Sequence, residues 1–169
     1  ISATLQTTLG PLRVVCAYCP NGQSVGSDKY DYKLRWYAAL TEYLRQSLLV
    51  TPQLAILGDY NIAPDDRDVH DPAAWKDQVL CSAPERAAFQ ALLDLGLHDS
   101  FRLFEQEPAT WSWWDYRMNA FKRRMGLRID HVLISDALRV HCRSCSVDSA
   151  PRALERPSDH APVIADLAL

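Results

Sequence analysis

The sequence predicts a layered α/β (α+β) domain with a mixed sheet and helices on its faces. Three observations carry that expectation: short β-rich runs recur along the whole chain, two helical periodicities interrupt them, and Leu54 to Leu57 is apolar throughout. Strands joined sometimes through helices and sometimes through turns alone fit a layered domain. Ser2 to Thr8 and Leu12 to Tyr18, with Gly10-Pro11 between them, read as a hairpin. Pro20-Asn21-Gly22 ends it and opens a polar loop to about Asp28. From Lys33 to Leu49 the residues Tyr37, Leu40, Leu44 and Leu48 recur at helical spacing, and Pro52 stops that helix. Leu54 to Leu57 then suits a central strand buried on both faces. The Pro- and Asp-rich stretch after Asn61 is expected to be loop. Ser82-Ala83-Pro84-Glu85 has the spacing of a capping box, followed by Phe89, Leu92 and Leu93 as the buried stripe of a second helix ending near Gly96. Beyond it, short strands are expected around Trp111–Trp114, Ile129–Ile134, Val140–Val147 and Val163–Leu167.

Composition sets the outer bounds. With 169 residues, 48% hydrophobic and 23% charged, the chain has enough apolar content for a core, which excludes disordered and collagen-like classes. No stretch approaches the roughly 20 apolar residues of a membrane span, and no secretory leader pattern is visible. The chain begins at Ile1 and enters strand-like sequence at once, which is expected of a chain cut within a domain. Five cysteines include the pairs Cys16/Cys19 and Cys142/Cys145. Both pairs lie in strand-like runs where residues three apart face opposite ways, so free thiols in a reducing cytoplasm are expected rather than structural zinc.

The net charge of −3 argues against bulk coating of nucleic acid, but charge is segregated. Asp59 to Asp71 is rich in carboxylates, whereas Arg117 to Arg128 carries Arg117, Lys122, Arg123, Arg124 and Arg128 with no acid. Four local patterns could do chemistry. Asp59 and Asn61, at the end of the apolar strand, project to one side in extended geometry and together suit a hard cation or a water to be deprotonated and held. Both types are also common turn formers. Asp159-His160 precedes the last strand, where a histidine can meet a phosphoryl oxygen and an Asp a metal, or both can simply be loop residues. Asp130 lies inside an apolar strand, where a carboxylate needs a partner. His160 is a natural one, His131 faces away, and an arginine would also serve. Finally, Trp111, Trp113, Trp114 and Tyr116 interleave with Arg117 ahead of the basic run, offering stacking faces beside phosphate contacts. Core packing could claim Trp111 and Trp113 instead.

Taken in order, Tyr18 before Pro-Asn-Gly, then GDYN, DSFR, WSWWDYR, GLRIDHVLIS and PSDHAPV, the chain resembles the exodeoxyribonuclease III family of abasic-site endonucleases, within the endonuclease/exonuclease/phosphatase superfamily. The resemblance runs from about Ile1 to Leu169. It implies a four-layered sandwich of two β-sheets flanked by helices, here missing its N-terminal portion, with residues 1–169 as the C-terminal part of one domain. It assigns Asp59 to activating the attacking water, Asn61 to positioning it, and His160, oriented by Asp130, to the scissile phosphate. Tyr18 matches a tyrosine that reaches the phosphate. Metal contacts fall to Asp59, Asn61, Asp159 and His160, with Mg2+ as the implied cofactor and Mn2+ as the substitute. Trp113, Leu127 and Ile129 fall where an apolar pocket takes an extruded abasic sugar, and Asn21, Trp114, Arg117, Lys122 and Arg124 are the remaining expected DNA contacts. Asp99 and Arg102 are expected to be structural.

The implied reaction is metal-dependent phosphodiester hydrolysis in DNA repair, with incision 5′ to abasic sites and 3′→5′ trimming of ends. The implied partner is double-stranded DNA with abasic sites or 3′ ends, met by a cytoplasmic monomer away from membranes. Because the pattern also places an Asn and a metal-binding Glu ahead of Ile1, an inactive remnant that binds DNA or a partner is the alternative. A superfamily phosphodiesterase acting on RNA or a phosphorylated small molecule is a third reading, disfavoured by the long cationic aromatic segment.

Overall fold

A computed structural model describes residues 1–169. Strands β1 (Ser2–Thr7) and β2 (Gly10–Cys16) form the expected antiparallel hairpin, turning at Thr8-Leu9 rather than at Gly10-Pro11. Helix α1 spans Asp28–Val50 and starts before Lys33, because the Ser27 hydroxyl accepts the Tyr30 N–H at 3.2 Å and Asp28 and Asp31 suit the positive end of the helix dipole. Its buried stripe, Tyr30, Lys33, Tyr37, Leu40 and Leu44, follows alternating steps of three and four residues. Strand β3 (Leu54–Asp59) then pairs parallel with β2, so β2, α1 and β3 make a βαβ unit. Gly58, at φ +143°, is required at its end, since a Cβ there would lie 1.9 Å from the Ala17 carbonyl oxygen.

The segment expected to be all loop contains a 3-10 turn at Asp66–Asp68 and a short helix α2 (Pro72–Trp75). Asp65 and Asp71 build them by accepting the N–H groups of Arg67 and Ala74. Helix α3 (Ala83–Leu93) opens on the expected Ser82/Glu85 capping box. Strand β4 (Leu97–Asp99) and strand β5 (Asp130–Ser135) are antiparallel, and β5 also runs antiparallel to β3. Trp111–Trp114 is not a strand. Trp113 makes only isolated bridges to Leu127 and His160, because the Ser112 hydroxyl accepts the Ile129 and Asp130 N–H groups at 3.0 Å and replaces a ladder partner there. A short helix α4 (Asp136–Arg139) precedes β6 (Cys142–Val147), which pairs antiparallel with β7 (Val163–Leu167).

The first sheet has the order β1-β2-β3-β5-β4 and the second is β6-β7. Leu54 and Ile56 of β3 face α1 and α3 through Tyr37, Leu44, Phe89 and Leu92, whereas Ala55 and Leu57 face the second sheet through Val163, Ala165 and Leu167. The expected mixed α/β class with two sheets is thus what forms, and these residues supply three layers of it: helices, sheet and sheet. No helix is long and apolar enough to cross a membrane. The five cysteines are unpaired.

Candidate active site

The register of β3 against β5 sets Asp59 directly opposite Asp130 at one end of the central strands. Burial, and then the charge of Asp130, push the Asp59 carboxyl from its ordinary 3.8 up to about 6, against the opposing pull of the Asn61 N–H, His160 and Lys33. Asn61, held at φ +48°, donates its backbone N–H to Asp59 Oδ1 at 2.8 Å and its side-chain amide to Asp59 Oδ2 and to the Cys19 carbonyl, each at 2.9 Å. Asn21 in turn donates to Asn61 Oδ1 at 3.1 Å. The Asp59 carboxylate is therefore aimed by an amide that is itself held on three sides.

His160 sits in the loop before β7, with Nδ1 at 2.8 Å from Asp130 Oδ2. Ser112 donates to the same oxygen at 2.7 Å, so Asp130 is fixed from two directions. Burial alone would lower the imidazole pKa, but the Asp130 hydrogen bond and the charges of Asp130, Asp59 and Asp159 together raise it above 6.5. Its Nε2 makes no protein hydrogen bond and is left for a ligand. Tyr18 follows β2 on the same rim, where the Cys19 N–H bonds the Asp59 carbonyl, and its side chain is 67% exposed. A carboxyl with its pKa pushed up to about 6 and an imidazole with its pKa raised thus share one strand end, an arrangement that can take a proton from water while meeting an anion.

Several expected roles need correction. Asp159 Oδ2 accepts the Trp113 indole N–H at 3.0 Å, which ties this carboxylate to the aromatic segment. Asp59 is engaged by Asn61, and His160 by Asp130. No three His, Cys, Asp or Glu side chains converge on one position. Leu127 and Ile129 are 0% and 2% exposed in a cluster with Ala63, Val69, Leu80 and Cys81, and Trp113 packs against it. They support Trp113 from beneath and do not line an open pocket. Trp114 is buried edge-on against Phe121, with centroids 5.1 Å apart, and offers no stacking face. Arg117 is exposed but forks onto Asp115, with Nη2 at 2.6 Å from Oδ2. Lys122 and Arg124 are exposed.

Two features escaped sequence reasoning. Lys33 is fully buried, and its Nζ donates to the Asn61 carbonyl at 2.5 Å, to the Asn21 carbonyl at 3.1 Å and to Glu85 at 2.5 Å. Its one mark in the sequence is its place on the apolar stripe, three residues after Tyr30 and four before Tyr37, which a lysine snorkelling to solvent would share. The second is a buried ion network under the site. Arg128 reaches Asp68 and Asp99, each at 2.7 Å, and Arg102 also bonds Asp68. His131 stays neutral in it: burial and the Arg128 charge lower its pKa to about 4, Nδ1 accepts from Arg128 at 2.9 Å and Nε2–H donates to the Ile62 carbonyl at 3.0 Å.

Residues 3–160 match the Endonuclease/Exonuclease/phosphatase family. The chain is 39% identical to exodeoxyribonuclease III of Haemophilus influenzae, over 98% of this chain and 65% of that protein. Among solved structures, it superposes with a TM-score of 0.91 and 48% identity on the 3′ phosphatase NExo from Neisseria bound to a product DNA hairpin, over 94% of this chain and 62% of that one. An AP endonuclease from Archaeoglobus fulgidus gives a TM-score of 0.90 at 32% identity, over 99% of this chain and 65% of that one. The chain therefore spans just under two-thirds of the length of these relatives.

Proposed function

The chain belongs to the Endonuclease/Exonuclease/phosphatase family, and on that premise we propose that it is the C-terminal portion of a single DNA-repair nuclease domain that incises 5′ to abasic sites and trims 3′ ends. One observation carries the reading: Asp59 and Asp130 stand opposite each other across β3 and β5, one aimed by Asn61 and the other holding His160. The likeness to a 3′ phosphatase solved with product DNA supports DNA as the substrate.

In this reading Asp59, with its pKa near 6, takes the proton of the attacking water, and Asn61 keeps the carboxylate in line. His160 Nε2–H meets a phosphate oxygen as charge develops there, while Asp130 keeps the ring protonated and oriented. Tyr18 reaches the same phosphate from the rim. Trp113, fixed by Asp159, flanks the abasic sugar, and Lys122 and Arg124 meet the DNA backbone. A Mg2+ ion, or Mn2+ in its place, would supply charge compensation at the phosphate when bound. The steps assigned to the protein groups do not depend on where it binds. The same reading places the protein in the cytoplasm as a monomer.

A second reading, DNA binding without hydrolysis, is favoured by the absence of three converging metal ligands. The 169-residue chain, assayed on an abasic duplex and a 3′-phosphate hairpin with Mg2+ or Mn2+, separates the two. Cation-dependent product formation, reduced at least about 100-fold by Asp59→Asn and by His160→Ala, is the expected result. Binding with no product would favour the second reading, and undiminished activity in either variant would sink the role assignments.

A further inference from the structure

Three Lys and Arg residues are buried: Lys33, Arg128 and Arg152. The first two have carboxylates within 2.7 Å. Arg152 has none within ion-pairing distance, although it is only 8% exposed. Its guanidinium lies between two rings, 5.2 Å from the centroid of Tyr116 and 5.1 Å from that of Phe121. Nη2 reaches the Trp114 carbonyl only at 3.4 Å, and Nε is buried with no partner at all. Ring faces attract a cation, but two of them return less than the hydration that a buried guanidinium gives up, and an unpaired N–H adds to the deficit.

Arg152 lines a cavity of about 320 Å3 together with Tyr116, Phe121, Asn119 and Lys122. The acid on its wall, Asp115, is already taken by Arg117. The cavity therefore presents a buried cation, an exposed lysine and an amide with no free anion. We infer that it is a phosphate-binding subsite that receives a backbone phosphate of bound DNA, with Arg152 as its buried anchor and Lys122 at its mouth. A guanidinium packed against two rings is restrained, which suits a phosphate oxygen better than a mobile side chain does. The place also fits. Pro157, on the cavity wall, accepts the Tyr116 hydroxyl at 2.8 Å and lies three residues before His160, so the cavity borders the loop that carries that histidine.

This inference rests on the DNA reading above, and its test keeps the two apart. The Nε–H resonance of Arg152 in the unmodified chain is followed by NMR during titration with inorganic phosphate and, separately, with a DNA hairpin carrying a 3′ end. Both should shift it. Arg152→Met should weaken hairpin binding about tenfold, and Arg152→Lys should recover part of that loss. A resonance unmoved by the hairpin while DNA is bound elsewhere overturns the subsite and leaves the DNA reading standing. A shift with inorganic phosphate but no hairpin affinity overturns the backbone assignment together with the DNA reading. Equal hairpin affinity in folded Arg152→Met and wild type shows that Arg152 is only a strut between two rings, and overturns the inference.

Discussion

At Asp59 the features that suit a base oppose stability. Because burial and Asp130 push its carboxyl from 3.8 to about 6, the folded chain binds more protons than the unfolded chain between those values, and its contribution to stability falls as pH rises through that window. Asp59→Asn removes the penalty. Its amide has one oxygen where the carboxylate used two to accept the Asn61 backbone and side-chain N–H groups, so part of the gain is returned. The variant is expected to be inactive and yet more stable than the parent at pH 7 by about 1–3 kcal/mol, a gap that closes near pH 4. Urea unfolding at the two pH values measures it, and equal stability at pH 7 would contradict the assigned cause. His160 works in the opposite sense: its pKa is raised in the fold, so its contribution is complete below the unfolded value near 6.5 and is lost as pH rises through the folded one. A stability profile with both features would carry the signature of the Asp59, Asp130 and His160 group.

Between elements, Lys33 is the tie. From the second turn of α1 it joins Glu85 on α3 and the carbonyls of Asn21 and Asn61, so one ammonium sets the distance between two helices and the loops of the site. Glu85 is equally buried and also accepts the Leu80 and Ser82 N–H groups. Lys33→Met leaves that carboxylate without its cation and is expected to cost about 3–5 kcal/mol in urea unfolding, with Lys33→Met/Glu85→Gln recovering part of it. A loss below about 1 kcal/mol, the scale of an exposed pair, would contradict a buried tie. The two residues also show what sequence could and could not tell. Glu85 was legible as the end of a capping box because its partner Ser82 is three residues away. Lys33 was not, because its partner is 52 residues distant and nothing local distinguishes a buried lysine from one that snorkels out of an apolar stripe. Trp111–Trp114 failed in a related way: alternation suggested a strand, but the Ser112 hydroxyl took the backbone donors a neighbouring strand would have used.

Over the whole molecule, motif order was enough to anticipate two sheets with helices and to single out Asp59, Asn61, Asp130 and His160. Their meeting depends on the long-range antiparallel register of β3 with β5, which periodicity cannot supply. Motif order also misjudged surface: Trp114, Leu127 and Ile129 read as contact residues, yet an apolar residue in a motif is as readily a support for the contact as the contact itself. Charge invites the same distinction. The chain carries a net −3, so attraction to DNA has to be local, and outside the Arg152 cavity it falls to cations that are exposed and not already neutralised. Lys122 and Arg124 meet both conditions, whereas Arg117, 85% exposed, has its charge answered by Asp115. Each phosphate neutralised adds about 0.9 to the slope of log affinity against log salt. Hairpin affinity measured by anisotropy between about 50 and 200 mM salt should therefore fall steeply in the parent. Lys122→Ala/Arg124→Ala should flatten the slope by up to about two, and Arg117→Ala by less than either single change, because removing it also frees the Asp115 carboxylate. A slope unchanged in the double variant would remove the 122–124 turn from the DNA interface, and a larger effect at Arg117 would show that DNA displaces Asp115 and takes the guanidinium for itself.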